Sequence, residues 1–85
     1  MSEVKAKECI FSVRSKEQLG AAFLSLRKMK KISQVQLSDL TGIRQSTISG
    51  FELGKIAIQI DSLFRLLNAL EVEFFVKPRS RKSEI

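Results

Sequence analysis

From Arg44 to Phe51 the chain reads Arg-Gln-Ser-Thr-Ile-Ser-Gly-Phe. Ile48 and Phe51 stand three apart, the spacing of the inner side of a helix. What remains is Arg44, Gln45, Ser46, Thr47, Ser49 and Gly50, all small or hydrogen-bonding. A helix surface built only for solubility normally carries Lys and Glu. Amide and hydroxyl groups behind a leading guanidinium instead match the edges of bases: Gln with adenine, Arg with guanine, Thr with the thymine methyl. The major groove of B-DNA admits a helix, and the N-terminal residues of that helix make the base contacts. Gln45 is therefore expected to read a base. Arg44, at the very start, is open to base, phosphate or solvent. Ser46, Thr47 and Ser49 are expected to face the groove. Gly50 costs ~1 kcal/mol relative to Ala in a helix; close approach of a phosphate strand or a subunit would give it a use, and neutral drift is the alternative.

Bond-making chemistry finds no such support. The chain has no His and a single Cys, so the commonest general base and the commonest metal ligand are missing. There is no GxxxxGK phosphate loop. Asp39 and Asp61 read as helix-surface carboxylates, and Cys9 as a buried or idle thiol. We expect no catalytic residue, no metal and no cofactor.

The charge agrees with a polyanionic partner. Fifteen Lys and Arg face nine Asp and Glu, a net charge of +6. Nucleic acid is the first expectation and an anionic membrane the second, with a merely soluble basic protein equally open on charge alone. The charge is clustered: Arg27, Lys28, Lys30 and Lys31 in one place, Lys77, Arg79, Arg81 and Lys82 in another. Gln34, at a helix N-terminus, is well placed for phosphate, and Lys55 follows the helix that carries Gln45. Lys28 and Lys31 suit phosphate too, although complementing a helix dipole would account for them. No apolar run approaches the ~20 residues of a membrane span, and Cys9 to Val13 is too short for the core of a secretory signal. A lone Cys forms no internal disulfide, which fits the cytoplasm.

The elements that hold these groups can be placed. At 85 residues with 44% apolar content the chain is one small domain, short enough that oligomerisation would help stabilise it. Ser15 with Gln18 reads as a capping box opening a helix over 16–31, with Leu19, Ala22, Phe23 and Leu26 on one face. Ser33 with Gln36 repeats the device before a short helix in which Val35, Leu37 and Leu40 are expected to form an apolar face. Gly42 ends it, in the left-handed conformation that glycine tolerates. The next helix begins near Arg44 and closes at Gly54. Two short helices joined by a Thr-Gly-Ile turn make a helix-turn-helix. Lys55 to Gln59 is a loop. Residues 60–70 form a helix with Ile60, Leu63, Phe64, Leu67 and Leu70 on one face; Leu66, Ala69 and Val72 lie off it, to meet a partner or a terminus. In "EVEFFVKP" Val72, Phe74 and Val76 alternate with other residues as in a half-buried strand. It needs a mate, either "CIFSV" near the N-terminus or the same strand of a second copy. The polar 79–85 reads as a disordered basic tail.

These residues resemble the XRE, or lambdoid-repressor, family. The pattern is Gln34, a small residue at Ser38 (Ala is usual), Gly42 and Ile48. The resemblance implies that Gln34 binds a DNA phosphate, that Gln45 reads a base, and that Arg27 and Glu52 form a structural pair tying the first helix to the recognition helix. Over residues 16–77, from "QLGAAFLSLRKMKK" to "LEVEFFVKP", the chain is most similar to HipB-type antitoxins. That implies a mainly α fold: a four- to five-helix lambda-repressor-like domain over 16–70, after an arm at 1–15. A C-terminal strand at 71–78 would pair across a homodimer. It also implies palindromic operator DNA and a HipA-like kinase toxin as partners. A stand-alone XRE regulator is the alternative.

Overall fold

The computed structural model describes residues 10–79. Cys9, with the start of the "CIFSV" stretch, and residues 80–85 of the tail lie outside the described residues. Among the described residues there are four helices, α1 (Lys16–Met29), α2 (Gln34–Thr41), α3 (Gln45–Glu52) and α4 (Ile60–Ala69).

Ser15 caps α1 by accepting from the Gln18 amide at 3.1 Å. The box is only half made, because the Gln18 side chain accepts from the Arg14 amide rather than from that of Ser15. At α2 the box is complete: Ser33 Oγ accepts from the Gln36 amide and Gln36 Oε1 accepts from the Ser33 amide.

The helix ends share one solution. After α1, α3 and α4 the chain turns through a left-handed residue, and the next amide bonds a carbonyl five residues back: Ile32 to Arg27, Lys55 to Gly50, Val72 to Leu67. This is the Schellman arrangement, which satisfies carbonyls the helix leaves open. Gly54 supplies the left-handed residue after α3, but Lys31 (φ 59°) and Glu71 (φ 58°) supply it after α1 and α4. α1 therefore stops at Met29, short of the expected residue 31. Gly42 (φ 78°) ends α2.

The core is Phe23 of α1, Leu37 of α2, Ile43 of the turn, Ile48 and Phe51 of α3, Leu63, Leu66 and Leu67 of α4, and Leu70 at its C-cap. α1 packs on α3, α3 on α2, and α2 on α4. Two expected faces are corrected. In α2 only Leu37 is buried, while Val35 and Leu40 are exposed: at 100° per residue Val35 falls on the side opposite Leu37, and Leu40, on the same side but one turn later, lies at the open end of the helix beside Thr41 and Gly42. In α4 the buried stripe is 63, 66, 67 and 70, which leaves Ile60 and Phe64 outside. The ring of Phe64 meets that of Phe74 edge-on, with centroids 5.9 Å apart.

Residues 72–79 carry no strand in the single chain, and neither do residues 10–14. Val72 packs against the core, whereas Phe74, Phe75 and Val76 are exposed. The two segments flank one groove of about 1260 Å³, floored by Leu19, Ala22, Phe23 and Leu26. No residue of α2 or α3 lines it.

Candidate nucleic-acid interface

The turn between α2 and α3 is fixed by side chains as well as by Gly42. Ser38 Oγ donates to the Ile43 carbonyl at 2.6 Å. Thr41 Oγ1 donates to the Leu37 carbonyl at 2.8 Å and accepts from the Ile43 amide at 3.2 Å. Arg65 of α4 reaches the Thr41 carbonyl at 3.4 Å. The hydroxyl of Ser38, where Ala is the expected residue, thus has a use in the turn.

α3 is held from behind by burial. Ile48 and Phe51 are buried, and the Phe51 ring lies 5.2 Å from that of Phe23 in α1. Gly20 lets α1 come close enough for this, because a Cβ there would run into the Phe51 carbonyl. Lys16 Nζ donates to the Gly54 carbonyl at 3.0 Å and ties the start of α1 to the end of α3. The open side of Gly50 is taken by the Ile56 side chain, 3.1 Å from where a Cβ would stand, so it is not space left for a phosphate strand or a subunit.

With its back buried, α3 presents Arg44, Gln45 and Ser46 to solvent, with Thr47 and Ser49 half-buried beside them. Arg44 is the N-cap residue, with no side-chain capping bond, and Gln45 is the first helical residue. Lys55 is exposed just past the end of α3. Lys28 is exposed in the last turn of α1, and Lys31 is exposed in the left-handed position beyond it.

A continuous polar chain runs from the interior to this surface. Arg27 Nε donates to Glu52 Oε2 at 2.6 Å and Arg27 Nη2 to Glu52 Oε1 at 2.8 Å, a bidentate pair with both residues buried. Arg27 Nη1 donates to the Ile32 carbonyl at 2.9 Å. The hydrogen bond to Glu52 raises the Arg27 pKa against the opposing effect of burial. Gln34 Nε2 then donates to Glu52 Oε1 at 2.9 Å, and Gln45 Nε2 donates to Gln34 Oε1 at 3.3 Å. Sequence patterns pair Arg27 with Glu52 but do not show that Gln34 and Gln45 continue the same chain. They also miss Gly20, Lys16, Thr41 and Arg65. Of these, Gly20 alone left a signal, since a glycine inside a helical pattern usually has a packing reason.

The helix-turn-helix family profile matches residues 24–76, more than half of the chain. The chain belongs to the helix-turn-helix family. Its fold is similar to that of HipB in a HipB–O4 20mer complex, at 27% identity and a TM-score of 0.76, covering 84% of this chain and 100% of that one. A chain of a HipA–HipB–O2–O3 complex matches over the same shares, at 27% identity and a TM-score of 0.75. The restriction-modification controller protein C.AhdI from Aeromonas hydrophila is similar at 29% identity and a TM-score of 0.65, covering 68% of this chain and 88% of that one. The helix-turn-helix is thus of the XRE type, and the HipB-like resemblance read from the sequence recurs in three dimensions. No curated protein matches the sequence significantly.

Proposed function

We propose that this chain is a sequence-specific DNA-binding repressor that acts as a cytoplasmic dimer and as the antitoxin of a HipA-like kinase. The observation that carries the DNA-binding part is the outward row from Arg44 to Ser46 on a helix whose inner side is fully buried. In this reading Gln45 contacts a base, Arg44 a base or phosphate, and Ser46, Thr47 and Ser49 line the groove. Lys55, Lys28 and Lys31 meet phosphates, and Gln34 meets one through the side-chain N–H that Glu52 does not engage. Among the described residues no helix is long and apolar enough to cross a membrane, and the partner of the basic surface is taken to be duplex DNA.

Residues 16–70 form the DNA-binding unit and residues 71–78 the dimerisation strand. A strand's main-chain groups need a neighbour, and exposed Phe74, Phe75 and Val76 give a second copy an apolar segment to pair with. Twofold pairing would set two α3 helices toward half-sites about 34 Å apart, or a multiple of that, on palindromic DNA.

The antitoxin part is supported by the likeness to HipB in the complex with HipA. The likeness to C.AhdI, a controller protein of another kind, favours a second reading: a stand-alone regulator with no toxin partner. Affinity purification from the native host separates them. A kinase-fold protein retained in stoichiometric amount supports the antitoxin. A chain that purifies alone, from cells in which such a kinase is expressed, supports the regulator.

A further inference from the structure

We infer that Glu52, buried and out of reach of DNA, sets the donor and acceptor pattern that Gln45 presents to a base. The inference rests on the reading of Gln45 as a base contact.

The argument is one of hydrogen-bond polarity. A carboxylate only accepts, and both oxygens of Glu52 already accept from the bidentate guanidinium of Arg27. A glutamine amide carries its donor on one side and its acceptor on the other, and in isolation either orientation serves. Beside Glu52 Oε1 only the NH₂ of Gln34 can point inward. Gln34 Oε1 must then face outward, and the group that meets it on Gln45 must be a donor, as the 3.3 Å contact from Gln45 Nε2 shows. The direction of both amides follows from the charge at the end of the chain.

The consequence falls on the exposed end. One N–H of Gln45 is engaged with Gln34, which leaves the other N–H and Oε1 for a ligand. That donor–acceptor pair is complementary to N7 and N6–H₂ of adenine in the major groove. The same contact restrains the Gln45 side chain before DNA arrives, so less rotamer freedom is lost on binding. Glu52 is in this sense a positioning residue, acting through Gln34.

The test selects duplexes from a pool of randomised 20-base-pair DNA with the wild type, Gln45→Ala, Gln34→Ala and Glu52→Gln, and compares base frequencies position by position. The wild type is expected to give an adenine preference that Gln45→Ala abolishes. Gln34→Ala and Glu52→Gln are expected to weaken that same position by roughly threefold to tenfold, from the ordering lost, and to leave the other positions alone. A merely structural role would lower all positions together. Gln34→Ala keeps the Arg27–Glu52 pair, so it can overturn the relay even if Glu52→Gln does not fold. If Gln45→Ala changes its position and Gln34→Ala does not, the relay is wrong and the base contact stands. If Gln45→Ala changes nothing, the base contact fails and the relay with it.

Discussion

Gly20 of α1 lies directly against the main-chain carbonyl of Phe51 in α3, with no room for a further carbon between them. This contact sets how deeply the outward-facing helix is seated. In an open helix Gly→Ala would stabilise by ~1 kcal/mol. Here the obstacle is backbone, which cannot swing away as a side chain would. Gly20→Ala is expected to destabilise by about 2 kcal/mol or more, read as a lower urea midpoint. A midpoint at or above that of the wild type would mean that α1 and α3 are not so close.

Arg27 and Glu52 give the second prediction. Removing one partner leaves the other charge buried and unpaired, so Arg27→Ala should cost about 3–5 kcal/mol. Replacing both with apolar residues, Arg27→Met with Glu52→Leu, removes the penalty with its cause. The double variant is expected to be clearly more stable than Arg27→Ala in the same urea titration. Losses that simply add would contradict a coupled pair.

Lys31 and Glu71 allow two effects to be separated. Each holds a left-handed conformation that costs a non-glycine residue about 1–2 kcal/mol, partly offset by glycine's greater freedom when unfolded. Lys31→Gly and Glu71→Gly should each stabilise by roughly 0.5–1 kcal/mol in thermal unfolding. On DNA they should part. Lys31→Gly gives up a proposed phosphate contact and should make the slope of log K against log salt shallower by ~0.9. Glu71→Gly should not, and identical slopes would take Lys31 off the phosphate backbone.

The contrast between α3 and its neighbours shows what a sequence of this kind discloses. Ile48 and Phe51 are the only large apolar residues inside α3, so its inner face was unambiguous, and Gly42 and Gly54 announced their turns by residue type. In α4 two overlapping stripes compete, one through Ile60 and Phe64 and one through Leu63, Leu66, Leu67 and Leu70. Spacing cannot rank them, and burial chose the second. The turns at Lys31 and Glu71 were hidden because no glycine marks them. Gln34 and Gln45 were each legible as a surface amide. Their connection through Glu52 was not, since it depends on how two helix starts meet in space.

The proposed strand yields a prediction about assembly. Val76 is 85% exposed in the single chain, so a carboxylate there should hardly disturb the monomer. Across a twofold pairing, like charges would face or flank one another. The variant Phe74→Asp with Val76→Asp, which keeps the core contact of Val72, is expected to sediment as a monomer where the wild type sediments as a dimer. A variant that remains dimeric would place the interface elsewhere.

The central claim is that Gln45 reads DNA from a helix braced on its other side. Its most direct test is the affinity of wild type and Gln45→Ala for a duplex selected by the wild type and for a random duplex, at one salt concentration. The expected result is a discrimination lower by about 1–3 kcal/mol in the variant, with random-duplex binding unchanged because phosphate contacts supply it. The same ratio of affinities in both proteins would contradict the account.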